Sequence, residues 1–171
     1  MSWITIKNAF ISFAASHGQI NSIGFGDPLS IGTDNVINLR TPARERIIFP
    51  LLFVDIQGAT LAQGTNTLQV NILTMNKTED VSALKRPALP VSGALINRWK
   101  DTEDEVLNDM LLIFMDVVAH FTDNPDVEYA ISNTINLTRF VEGRDDRVAG
   151  WQGTINFIMP YGRNVCQIPT L

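Results

Sequence analysis

The sequence predicts an α+β fold, an antiparallel four-stranded sheet flanked by helices in the order helix, strand, strand, helix, strand, strand. Two observations carry this expectation. Apolar or alternating segments come in two pairs, 47–56 with 68–75 and 127–137 with 151–159, and a long segment of helical period separates the pairs. The length of 171 residues suits one domain, and a chain of this size buries roughly 70% of its unfolded surface, so no disulfide or metal staple is required.

In "WITIKNAFISFAASH" (3–17), Ile6, Phe10, Phe13 and Ala14 recur at helical spacing, with Ser2 as the N-cap and Gly18 as the stop. The segment 18–46 is rich in Gly, Pro, Ser and Asn; its sparse apolar positions predict an extended arm or loop, with nothing longer than a short strand. "IIFPLLFVDI" (47–56) reads as a strongly apolar strand with Pro50 at its start, at a bulge or on an edge. "LQVNILTM" (68–75) alternates Leu68, Val70 and Ile72 against Gln69 and Asn71. The connection "QGATLAQGTNT" (57–67), with Gly58 and Gly64, is too long for a two-residue turn and predicts a hairpin that projects beyond the sheet.

Residues 77–100 hold Pro87, Pro90 and Gly93 and predict a long excursion. Thr102 and Glu105 match a capping box, and the acidic first turn suits the positive end of a helix. That helix runs to about Thr122, roughly 30 Å at 1.5 Å per residue. Its main stripe is Leu107, Met110, Leu111, Phe114, Val117, Val118 and Phe121. Leu112, Ile113 and Met115 make the apolar surface wider than one sheet face needs, which predicts packing on the first helix or on a second subunit. "VEYAISNTINL" (127–137) and "WQGTINFIM" (151–159) alternate as strands, the charged "EGRDDRVAG" (142–150) between them suits a hairpin tip, and 160–171 is an extended tail.

A net charge of −5 argues against general nucleic-acid binding, which depends on Lys and Arg neutralising phosphates. The charges are also segregated. Residues 101–126 carry eight carboxylates and no Lys or Arg, whereas basic residues gather at Arg40, Arg44 and Arg46, at Lys85 and Arg86, at Arg98 and Lys100, and at Arg139, Arg144 and Arg147. Two readings follow: separate solvated faces, or an acidic surface of one copy meeting a basic loop of another. The lone Cys166 and the absence of a signal-like start lead us to expect a reducing cytoplasm, or a particle assembled there. "MLLIFM" (110–115) is far shorter than the ~20 residues of a membrane span, so no membrane partner is expected.

No chemical constellation emerges. The glycines of "IGFGDPLSIGTDN" (23–35) lack the preceding strand, following helix, third fingerprint glycine and Gly-Lys-Ser/Thr that phosphate loops use, so a turn and arm is expected. His17 and His120 have no second ligand at metal spacing, and 123–128 lacks the calcium-loop pattern. No Ser sits in a nucleophile elbow. Asp145 and Asp146 are interleaved with Arg144 and Arg147 as a salt-bridged tip would be, and the loop from Arg40 to Arg46 lacks aromatic residues for base stacking. We therefore expect no enzyme, no catalytic residue, no cofactor and no metal. By elimination, the projecting hairpins, arms and opposed charges suit a component of an assembly.

A helix ending in His17, "FGD" (25–27), "FPLLFVDI" (49–56), "EVLNDMLLIFMDVVAHF" (105–121) and the closing "DDRVAGWQGTINFIMPYGRNVCQIP" (145–169) follow one another in an order that resembles small neck and tail-completion proteins of tailed bacteriophages, crAss-like phages in particular. The resemblance implies a tail-terminator-like fold and a six- or twelve-membered ring of identical copies between portal and tail. It also implies neighbouring portal, neck or tail proteins, and DNA that passes through the lumen without sequence-specific binding. The implied location is the virion, after assembly in the host cytoplasm. The residues expected at interfaces are Arg40, Arg44, Arg46, Gly58, Gly64, Arg144, Asp145, Asp146, Arg147 and Trp151. The alternatives are a small enzyme or nucleotide-binding domain and a non-virion phage protein that binds a ligand or one host partner.

Overall fold

The computed structural model describes residues 3–40, 46–78, 103–123, 129–132, 134–143 and 147–160. Its centre is a long hairpin. Strands β3 (Leu51–Ala62) and β4 (Thr65–Lys77) pair antiparallel from Leu51↔Met75 to Ala62↔Thr65, with a bulge that leaves Gln57 as the extra residue between Ile56 and Gly58. The hairpin closes through Gln63 and Gly64, and Gly64 takes the positive φ (+86°) that a two-residue turn demands. Strand β7 (Arg147–Pro160) lies antiparallel along β4 from Thr65↔Pro160 to Lys77↔Val148.

Short strands complete both sides. β1 (Ser22–Phe25) pairs parallel with Leu51 to Val54, and β2 (Val36–Asn38) pairs antiparallel with β1. On the far side of β7, β5 (Ala130–Ile131) meets Phe157 and Ile158, and β6 (Leu137–Gly143) pairs with Arg147 to Gly153. The order is β2-β1-β3-β4-β7-β5, with β6 also on β7.

The expectation of an antiparallel four-stranded sheet is thus corrected: the chain is α+β, but its sheet has seven strands and is mixed. Three local misreadings account for the difference. The segment 18–46, expected to hold nothing longer than a short strand, contributes two short strands to the sheet, Ser22, Ile23 and Gly24 being buried beside β3 in a run too short to show a period. The alternation over 127–137 belongs to two strands, separated by the polar stretch at 132–136, and the charged stretch after Leu137 is itself paired as β6. The connection 57–67 is mostly strand, since β7 runs beside β4 to its end and extends the ladder.

Helices α1 (Trp3–Ser16) and α2 (Glu103–Thr122) share one face of the sheet. Ile6, Phe10, Phe13 and Ala14 are the buried positions of α1, as its spacing predicts. They meet Val106, Leu107, Met110, Ile113, Phe114, Val117 and Phe121 of α2 over Leu52, Val54, Val70, Ile72, Ile155 and Phe157. Ring contacts bind the layers, with Phe10 4.4 Å from Phe121 and Phe121 5.4 Å from Phe157 between centroids. Ile113 accounts for part of the wide apolar surface of α2 by facing the core; Leu112 and Met115 point outward. Two bonds run from the sheet to helix carbonyls: Thr74 Oγ1 donates to Met110 O (2.9 Å) and Trp151 Nε1 donates to Leu107 O (2.7 Å).

The opposite face is divided. Leu51, Phe53, Leu73 and Met75 are covered by Ile31, Val36, Ile47, Phe49 and Phe140. Beyond them the face turns polar, with Asn71, Gln152, Thr154 and Asn156. Ser2, Arg44, Thr102, most of the 77–100 excursion, Arg144, Asp145, Asp146 and the tail with Cys166 lie outside the described residues.

Candidate assembly surface

The sequence from Ile56 to Asn76 contains no charge and no proline. Its first part forms the distal half of β3, and the fold leaves that half open. The β1 ladder ends at Phe25↔Val54, so from Asp55 to Ala62 strand β3 has β4 on one side and no strand on the other among the described residues. Leu61 is 72% exposed and Ile56 37%. Natural sheets usually protect such an edge with charge, proline or a bulge. Here Asp55 and the bulge at Gln57 stand at the start of the edge, and beyond them Gly58 to Ala62 is uncharged and regularly paired to β4.

At the start of this edge, burial pushes the Asp55 carboxyl above its ordinary value; the nearby Asp27 carboxylate adds to the rise, and a hydrogen bond with Gln57 opposes it. Asp27 is held in place as the cap of the three-residue 3-10 turn Pro28–Ser30, accepting from Leu29 N (2.9 Å). The glycine-rich stretch around it has a packing use. Gly24 lies in strand β1, not after a helix as the sequence suggests, and a Cβ there would fall 2.4 Å from the Phe53 ring.

The other expected interface residues that the structure describes, Arg40, Arg46, Arg147 and Trp151, have separate surroundings. Arg40 is engaged within its own chain: its guanidinium donates to Ile20 O (3.2 Å) and to His17 O (2.6 Å), just past the end of α1, where a cation suits the helix dipole. Arg46 is exposed, and its carbonyl accepts from Asn38 Nδ2. Arg147 pairs with Glu103 (3.0 Å), tying β7 to the first turn of α2. Trp151 is half-buried on the helix side through its bond to Leu107 O. Gly58 and Gly64 share the hairpin, at the end of β4 and β7 opposite Arg147.

Two concavities went unread in the sequence. One, of about 440 Å³, lies on the polar half-face between Asn71, Thr134, Thr138, Gln152, Thr154 and Asn156. Asn71 is 1% exposed, and its Oδ1 and that of Asn156 accept no hydrogen bond in the structure, so the concavity presents acceptors to water or to a donor on a partner. The alternation around Asn71 was visible in the sequence; the gap between β5 and β6 that opens beside it was not. The other, of about 820 Å³, is an apolar groove between α2 and β5 with Met115, Val118, Ile131 and Leu137 in its walls. Burial pushes the Tyr129 phenol there up to about 12. Among the described residues no group of three His, Cys, Asp or Glu side chains could hold a metal, and no helix is long and apolar enough to cross a membrane.

Comparison of the chain with protein-family models gives no match, and comparison with curated proteins gives none either.

Proposed function

We propose that the chain is a structural virion protein of a tailed bacteriophage that forms a ring in the neck or tail and joins portal-side and tail-side layers around the DNA channel. The observation that carries this reading is the open edge of β3, uncharged from Ile56 to Ala62, a row of backbone donors and acceptors that a second chain can complete. The order of motifs that resembles phage neck proteins supports it from the sequence side. The net charge of −5 suits a lumen along which DNA slides unheld. On this reading the protein does no chemistry; its work is repeated self-association and contact with the layers above and below.

Native mass spectrometry of the full chain over a range of concentrations tests the proposal. A species of six or twelve times the 19.0 kDa chain is expected. A monomer at every concentration overturns the ring.

A further inference from the structure

We infer that neighbouring copies join head to tail by continuing one sheet, the open edge of β3 (55–62) in one copy pairing antiparallel with the outer edge of β6 in the next. The inference rests on the ring reading above and names the surfaces that close it. β6 has β7 on one side and no strand on the other among the described residues, so a single sheet ends in two open edges of similar length on opposite flanks. One heterologous contact uses both edges, and only a closed set of copies leaves neither bare. That makes a second copy the partner that fits.

Strand sense and side-chain pattern both agree. β3 and β7 run in one direction, β4 and β6 in the other, so a copy added in the same orientation brings β6 antiparallel to β3. On the helix side of the sheet, β3 presents Ile56, Ala59 and Leu61, which pair with Val70, Leu68 and Asn66. β6 presents Leu137, Arg139 and Val141 on that side, opposite Gly153, Trp151 and Ala149. Setting Leu61 opposite Leu137 sets Ala59 opposite Arg139 and, across the bulge at Gln57, Ile56 opposite Val141. The exposed apolar side chains of the two edges, including the 39% exposed Val141, then cover one another. The buried Asn66 Oδ1, beside Leu61 and without a partner in one copy, lies at this seam.

The stagger fits closure as well. Leu61 stands level with Met159 and Leu137 with Gly153, about six positions apart on β7. That is roughly 20 Å along the strands for a repeat of four strands, roughly 19 Å wide. A sheet continued this way inclines its strands by about 45°, close to the inclination at which sheets close on themselves.

Cross-linking tests the seam. In a Cys166→Ser background, Ala59→Cys combined with Arg139→Cys should give an oxidation-dependent ladder of covalent oligomers, and either substitution alone should give none. Leu61→Lys should abolish the oligomer in native mass spectrometry and leave a monomer with the wild-type far-UV circular dichroism spectrum. An oligomer that survives Leu61→Lys and yields no ladder overturns the edge pairing and leaves the ring reading standing. A wild-type monomer at all concentrations overturns both.

Discussion

The two halves of β3 differ in composition, Leu-Leu-Phe-Val against Ile-Gln-Gly-Ala-Thr-Leu-Ala, and end in opposite circumstances. Leu51, Leu52, Phe53 and Val54 are buried between β1 and β4 with apolar layers on both faces. Ile56 to Ala62 continue the same strand with β4 as its one strand neighbour among the described residues. Leucine, aromatic and β-branched side chains mark a strand in the first half, whereas the Gln, Gly and Ala of the second do not, and burial of either depends on what arrives from elsewhere in the chain. The first half is enclosed by β1 and β4, and the second has β4 alone beside it among the described residues.

That contrast can be broken at its strongest point. Phe53→Ala removes a fully buried ring packed against Gly24 and the second core cluster, and should lower unfolding free energy in urea by about 3–5 kcal/mol. At the boundary between the halves, Asp55→Asn sharpens it. The fold disfavours the Asp55 carboxylate, so its penalty is full above the raised folded-state value and relieved as pH falls through that value toward the ordinary 3.8. The Asn variant should therefore melt at or above the wild type at neutral pH, with the difference closing on acidification. An Asn variant that melts below the wild type at neutral pH, with the deficit closing on acidification, would show that the carboxylate is stabilised instead. The smallest effect is expected at Leu61→Ala, within about 0.5 kcal/mol in the monomer because the side chain is 72% exposed. A loss as large as that of Phe53→Ala would mean that the distal half is already covered.

Local periodicity explains what was legible. The buried face of α1, most of that of α2 and the alternation of Leu68, Val70 and Ile72 follow from neighbours three, four or two residues away. β1, β2 and β6 were missed because their burial comes from residues far along the chain: Ser22 to Phe25 acquire strand character from Leu51 to Val54, and the charged run through Arg139 and Glu142 acquires it from β7. Among the expected interface residues, Gly58 and Gly64 fall on the open hairpin, whereas Arg40, Arg147 and Trp151 spend their polar groups on their own chain. A basic or indole group in a sequence does not say whether its partner is internal.

By itself the sequence determined the two helices, their apolar faces and the central strands, and it determined that the stretch from Ile56 to Asn76 carries no charge. Only the tertiary structure decided that the first third of that stretch is an edge, that β1 runs parallel to β3, and that β6 on the opposite flank has one strand neighbour among the described residues. The physical reason is that side-chain period is a property of adjacent residues, whereas an edge is defined by the strand that is not beside it.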